Sequence, residues 1–248
     1  MTMVNAVMLV RDRLELTRQA IFTMLDHVPV GSLNLTIADD GSQDETRFLL
    51  ERFANDRVRV LRLFPPVGIV GLARNLGILA SERLFGRGDY LYLADNDAYH
   101  LPGWLDTLRG AFERAEPHVK LLGGYTHPYH GVNQWAPASS PRIGLHDAVQ
   151  GLSQLMRWNT FDRYGPFDSN AQGTNQSEDF AFCQRIIKDS YLVGSIYPRV
   201  IINCGLLDSY GKPCVGYEAV QAELEAEIRA RGLEGKVYYP TVGEKASA

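Results

Sequence analysis

The chain has 248 residues, 45% of them apolar, 22% charged and 10% aromatic, with a formal net charge of −4. That size and balance allow a sizeable buried core and exclude a disordered or low-complexity chain. With no long block of Lys or Arg, a dominant electrostatic grip on nucleic acid is not indicated, and only a local basic groove stays open.

The first half alternates strand and helix signals. "VNAVMLV" (4–10) is a continuous apolar run, as expected of a strand buried on both faces. Asp12 with Glu15 three residues on predicts a capping box and a helix running to about Leu25. "LNLTIAD" (33–39) is a second strand, and it runs into "DDGSQDET", where Ser42 and Asp44 are both candidate caps for the helix carried by "TRFLLERFA". "RVRVLRLF" (57–64) alternates in part, which predicts a third strand nearer a sheet edge. A helix over 68–84 carries small residues where close approach is needed, and "DYLYLAD" (89–95) is a fourth strand.

The second half is less regular. Helices are expected at 102–115, with Pro102 near the first turn, at 147–158 and at 177–190. Strand material is expected at 119–125 and 191–204. Residues 126–146, rich in Pro, Gly, His and Ser, read as a long loop of a kind that is often functional. A terminal helix places Val220, Leu224 and Ile228 on one face. There is no internal repeat and no clear linker. One domain is expected over 1–248, with 1–100 and 101–215 as its halves and 216–248 as terminal helix and tail. Cys183, Cys204 and Cys214 show no CxxC spacing, which favours a reducing compartment. The N-terminal apolar run breaks at Arg11, Asp12 and Arg13, and no stretch nears the ~20 apolar residues of a membrane helix. A soluble cytoplasmic protein without an integral membrane segment is the expectation.

Strands alternating with helices imply a mainly parallel sheet, which binds ligands at the carboxyl ends of its strands. Asp39-Asp40 and Asp95-Asn96-Asp97 both fall there. In an extended chain, Asp95 and Asp97 point to one side and Asn96 to the other. Two converging carboxylates can hold a hard divalent cation together with substrate phosphates. The bland alternative is a solvated turn, and for "DDGS" a turn is an equally good account. Arg74 near a helix start suits phosphates or a base edge, or merely solvent. Glu178 and Asp179 in a first helical turn suit the helix dipole, or a general base.

Taken in order, "IADDGSQDET", "GIVGLARNLGILAS", "YLYLADNDAYHLPGWL" and "SEDFAFCQRI" resemble the family-2 glycosyltransferases of GT-A fold, over roughly residues 4–205. The resemblance implies an α/β, Rossmann-like fold with a mainly parallel sheet flanked by helices and a smaller mixed acceptor-side sheet. It implies a nucleotide-sugar donor, a UDP-sugar ahead of a GDP-sugar, and Mn²⁺ or Mg²⁺ as cofactor. By the same resemblance, Val10, Arg11, Asp39 and Asp40 line base and ribose, and Arg74 approaches base or diphosphate. Asp95 and Asp97 form the DxD motif that meets ribose and metal, with Asn96 between them on the substrate side. Asp179 is the base of an inverting transfer, with Glu178 beside it.

The pattern departs from many relatives late in the chain, where Asn203 and Cys204 stand in place of a metal-binding His; His127 and His130 lie too far upstream to replace it. Trp135, with Tyr129, is a candidate acceptor-side wall, with an ordinary surface loop as the alternative. Trp104 and Trp158 are expected to pack in the core. The acceptor is open: glycan, lipid-linked sugar, protein, small molecule or modified nucleic acid. Two other readings compete. A sugar-1-phosphate nucleotidyltransferase needs a Gly-rich loop after the first strand, which "VRDRLEL" lacks. A non-catalytic nucleotide-sugar-binding protein would keep binding without turnover.

Overall fold

The computed structural model describes residues 2–43, 45–125, 132–136, 141–169, 178–207, 213–214 and 216–242. In chain order the elements are β1 (Val4–Val10), α1 (Leu14–Asp26), β2 (Leu33–Asp39), α2 (Thr46–Phe53), β3 (Val58–Arg62), α3 (Val70–Phe85), β4 (Tyr90–Asp95) and β5 (Ala98–His100). There follow α4 (Trp104–Ala115), β6 (Val119–Gly123), β7 (Gln134–Trp135), β8 (Arg142–Leu145), β9 (Ser153–Met156), α5 (Trp158–Tyr164), α6 (Glu178–Lys188), β10 (Leu192–Tyr197), β11 (Ile201–Asn203) and α7 (Tyr217–Ala230).

The main sheet has the order β3-β2-β1-β4-β9-β6-β10-β8-β7, and β5 pairs with β11 in a second, two-stranded sheet. The first four strands are parallel to one another, so their carboxyl ends share one edge. β9, β6, β10, β8 and β7 extend the same sheet, with β9 antiparallel to both of its neighbours. β3 lies at the sheet edge, as its alternating pattern predicts.

The pleat divides the apolar residues between two faces. Val4, Ala6, Met8 and Val10 of β1 join Ala20, Ile21 and Met24 of α1 and Trp104, Leu108 and Phe112 of α4. Val7, with Leu91 and Leu93, packs instead with Ile78, Phe167, Phe182 and Ile186. A sheet covered on both sides explains the unbroken apolar runs in the sequence. A third cluster lies under α7, where Val220, Leu224 and Ile228 meet Leu16, Tyr99, Ile202 and Cys204. Trp104 and Trp158 are both buried, as expected.

Several local expectations are corrected. The helix expected over 147–158 is instead the strand β9, followed by α5. Val149, Leu152, Leu155 and Met156 imitate a helical stripe, but β9 is inserted between β4 and β6 and buried on both faces, so it shows no alternation. Its polar members are partly paired there: Ser153 Oγ accepts from Tyr92 Oη at 3.1 Å and Gln154 donates to the Val149 carbonyl at 2.7 Å, while the buried Gln154 Oε1 accepts no hydrogen bond.

The capping box does not form. α1 starts after Arg13, whose φ of 65° is left-handed, and has no side-chain cap. The Asp12 carboxylate accepts from the Gln43 amide at 2.7 Å, so it ties two loops together. Ser42 likewise does not cap α2; its hydroxyl accepts from the Asp12 amide at 2.8 Å. Asp44 lies outside the described residues. Finally, α4 begins at Trp104 behind Gly103 (φ 74°), so Pro102 precedes the helix. Of the long loop, β7 and β8 are strands, and 126–131 and 137–140, which hold His127, Tyr129 and His130, lie outside the described residues.

Candidate active site

The shared strand edge gathers the acidic residues. Leu9 is in register with Asp95 and Val10 with Asp39, so the carboxyl ends of β2, β1 and β4 lie side by side. Val10 is fully buried and its carbonyl accepts from the Asp40 amide at 2.9 Å, while Arg11 is exposed.

Asp39 is fully buried. One of its oxygens accepts from the Ser42 amide at 2.9 Å; the other accepts no hydrogen bond and faces Arg62 Nε at 3.6 Å. Asp40 spends both oxygens on backbone, accepting from the amides of Val67 at 2.6 Å and Gly68 at 2.9 Å. That contact ties the start of α3 to the end of β2. Beside them, a cleft of about 440 Å³ is lined by Gly41, Ser42, Gln43, Arg47, Arg62 and Phe64, together with Pro66. Phe64 is 88% exposed on its rim.

Asp95 and Asp97 each hold an arginine. Arg74 Nη2 donates to Asp95 Oδ1 at 2.9 Å and also faces Glu178 Oε1 at 3.6 Å. Arg74 is 2% exposed, and its Nε and Nη1 make no hydrogen bond. It is a buried bridge between carboxylates, not a surface residue. Desolvation pushes the Asp95 carboxyl up to about 7, against the pull of Arg74 and with help from Asp97, Glu178 and Asp179. The side chain is 35% exposed, so water tempers that push.

Arg13 Nη1 donates to Asp97 Oδ2 at 2.8 Å, and its Nη2 donates to the Leu207 carbonyl. Asn96 and Asp97 form a turn after β4, not the extended continuation expected from the sequence. Asn96 is buried and donates to Thr17 Oγ1 at 2.8 Å and the Asp12 carbonyl at 3.1 Å, so its amide is spent inside the protein and not on the substrate side that the resemblance implies.

Glu178 and Asp179 open α6. Asp179 Oδ2 accepts from the Gly151 amide at 2.9 Å, and Oδ1 accepts from the Phe180 amide at 2.7 Å. A Cβ at Gly151 would overlap the Arg74 guanidinium, so a larger residue here would have to displace that side chain. The start of α3 reaches the same region. A Cβ at Gly71 would overlap the Asp168 carbonyl, and Asn75 both donates to the Phe167 carbonyl and accepts from its amide, each at 2.9 Å. The structure thus joins Asp95, Glu178 and Asp179 through Arg74 and Gly151.

Trp135 stands apart. It lies on β7, five strand positions from β4, and its ring meets Tyr197 edge-on at 5.0 Å and the Arg142 guanidinium at 3.8 Å.

Cys204 is fully buried, and burial with the nearby Asp97 raises its thiol well above the ordinary range, so it stays protonated. The side-chain oxygen of Asn203 accepts from the Gly205 amide at 2.8 Å. Among the described residues no group of three His, Cys, Asp or Glu is placed to hold a metal. The carboxylates that could hold one are those of Asp97 and Asp95, each already paired with an arginine through one oxygen. This set suits a hard divalent ion that takes its other ligands from substrate phosphates and water.

Sequence reasoning missed Arg13, Arg62, Phe64 and Gly151. A signal for Arg13 was present. Since β1 and β4 are adjacent parallel strands, side chains just past one end face those just past the other, and "RDR" follows one while "ND" follows the other.

Residues 6–187 match the model of "Glycosyl transferase family 2". The chain belongs to this family. No curated protein sequence matches the chain. Among solved structures, similar ones include the mannosyltransferase PcManGT from Pyrobaculum calidifontis in complex with GDP-Man and Mn²⁺. It has 15% identity and a TM-score of 0.64, with 96% of this chain and 66% of that one covered. GalNAc-T7 with UDP, GalNAc and Mn²⁺ has 14% identity and a TM-score of 0.67, with 98% and 53% covered. S. aureus TarS 1–349 in complex with UDP-GlcNAc has 15% identity and a TM-score of 0.62, with 80% and 57% covered. The likeness establishes the GT-A fold. The chain spans between about half and two thirds of the length of these three solved chains.

Proposed function

We propose that the protein moves a sugar from a nucleoside diphosphate donor to an acceptor hydroxyl, with inversion at the anomeric carbon. The observation that carries this reading is one constellation: the Asp95/Asp97 strand end and the Glu178/Asp179 helix start, joined by Arg74. The solved relatives hold GDP-Man, UDP-GlcNAc, or UDP with GalNAc, and two of them hold Mn²⁺.

In this reading the donor lies across the carboxyl ends of β1, β2 and β4, with residues 1–100 as the donor half and 101–215 as the acceptor half. Asp39, with its unbonded buried oxygen, accepts a hydrogen bond from the base or ribose. Asp97, with Asp95, would hold Mn²⁺ or Mg²⁺. When bound, such an ion neutralises charge developing on the departing diphosphate. Asp179 takes the proton of the acceptor hydroxyl as it attacks the face opposite the leaving group. Its backbone hydrogen bonds from Gly151 and Phe180 fix its direction. Arg74 screens Asp95 and Glu178 from each other, so three acids can share one edge. Among the described residues no helix is long and apolar enough to cross a membrane, and the three cysteines are free thiols, which supports our placing the reaction in the cytoplasm.

The reading is tested by calorimetric titration of UDP, GDP and their sugars, with and without Mn²⁺, into wild type and Asp97→Ala. One nucleotide series should bind with metal and lose that dependence in the variant. If neither series binds under any condition, the donor reading fails.

A further inference from the structure

Asp97 already has a cation against it. Its Oδ2 accepts from Arg13 at 2.8 Å, and the two side chains are only 15% and 17% exposed. The turn that delivers Arg13 is unusual, because Asp12 (φ 53°) and Arg13 (φ 65°) are consecutive left-handed residues bearing a Cβ. Four contacts hold that turn. The Asp12 amide donates to Ser42 Oγ at 2.8 Å, and its carboxylate accepts from the Gln43 amide at 2.7 Å. Its carbonyl accepts from Asn96 at 3.1 Å and from Thr17 Oγ1 at 3.0 Å. A disfavoured backbone fixed from so many directions is a built feature, and what it builds is the reach of Arg13 across the strand edge.

We propose that Arg13 is a resident counter-ion, which competes with the divalent metal for Asp97 and passes to the donor's diphosphate when the donor arrives. The proposal rests on the reading of Asp97 as a metal ligand. While Arg13 holds Oδ2, that oxygen is not open to a cation, and a divalent ion beside the guanidinium would be repelled by it. A diphosphate removes both obstacles. It offers oxygens that a planar guanidinium can grip in pairs, and it adds negative charge that draws the metal in. Metal and nucleotide therefore bind cooperatively, and the coupling is reciprocal. The second contact of Arg13, to the Leu207 carbonyl, links this exchange to the segment after β11.

The test is Mn²⁺ binding, read from the electron paramagnetic resonance signal of free Mn²⁺, with and without UDP or GDP. Arg13→Gln should bind Mn²⁺ without nucleotide about fivefold or more tightly than wild type, and should lose most of the enhancement that the nucleotide gives wild type. Arg13→Lys keeps the charge but cannot span Asp97 and the Leu207 carbonyl together. It should fall between the two, and it serves as the test if the Gln variant does not fold. Equal nucleotide-free Mn²⁺ affinity in wild type and the folded variants overturns the proposal alone. Absence of Mn²⁺ binding in every protein, with nucleotide binding intact, overturns the metal reading of Asp97 as well.

Discussion

The two halves of the sheet carry their acids differently. On the proposed donor side, Asp39, Asp40, Asp95 and Asp97 sit at or just past the ends of parallel strands, so their positions follow from β1 being paired with β2 and β4. On the proposed acceptor side, Glu178 and Asp179 start a helix, and their placement depends on long-range contacts to Gly151 and Arg74. The first arrangement is set by backbone register and resists single changes. The second is set by side chains and glycines, and single changes should disturb it.

The largest expected effect is on the acceptor side. Asp179→Asn should lower kcat by roughly 10²–10⁴-fold, the usual worth of a general base, while nucleotide affinity stays at the wild-type value. Calorimetry beside steady-state kinetics separates the two. A parallel loss of nucleotide binding would place Asp179 in the donor site and erase the contrast between the halves.

Next comes Gly151→Ala. The added methyl must displace the Arg74 guanidinium, at a cost of about 2 kcal/mol for overpacking a buried site. A melting temperature roughly 4–8 °C lower is expected for a domain of this size. An unchanged melting temperature would mean that Arg74 moves aside freely and does not bridge the halves.

The seam between β4, β5 and β9 offers a pH test. Tyr92 contacts both His100 Nε2 and Ser153 Oγ at 3.1 Å. Desolvation holds the buried His100 down at about 3, from an ordinary 6.5. The unfolded chain therefore takes up a proton near pH 6.5 that the folded chain refuses until about pH 3. Stability contributed by neutral His100 is complete above pH 6.5 and falls as pH drops through that window, with a slope approaching about 1.4 kcal/mol per unit. Denaturant midpoints of wild type and His100→Gln should converge between pH 7 and pH 4.5, relative to their separation at neutral pH. Parallel curves would exclude His100 as the source of acid sensitivity at the seam.

The smallest effect belongs to the donor side. Phe64→Ala removes an exposed ring from the rim of the Arg62 cleft and should weaken nucleotide binding by a few-fold, on the order of 1 kcal/mol for a lost stacking face. No change in affinity would keep the nucleotide to the β1 and β4 side of Asp39.

The same contrast explains what could be read from the chain. Continuous apolar runs announce β1, β2 and β4, and the acids at their ends are legible because parallel strands expose their carboxyl termini together. The opening of α6 at Glu178 and Asp179 was equally visible. β9 was misread because a strand buried on both faces has no period of its own, and the spacing of Val149, Leu152 and Leu155 happens to fit a helix. The Arg13–Asp97 pair joins residues 84 positions apart, and its geometry depends on a left-handed turn that no residue type at Asp12 or Arg13 foretells. Trp135 is a candidate wall by its ring and its place in a long loop, with a plain surface loop as the alternative, and its position five strands from β4 is a property of sheet order that neither signal carries.

The first turns of α3 press Gly71 against Asp168, clamp Phe167 with Asn75 and extend Arg74 to Glu178. For protein engineering this sets where a splice can fall. A chimera that exchanges the acceptor half at the β4–β5 boundary separates both sides of every one of these contacts. Gly71, Arg74 and Asn75 would have to travel with Phe167, Asp168 and Glu178 as one inherited unit, although more than 90 residues of sequence lie between Asn75 and Phe167.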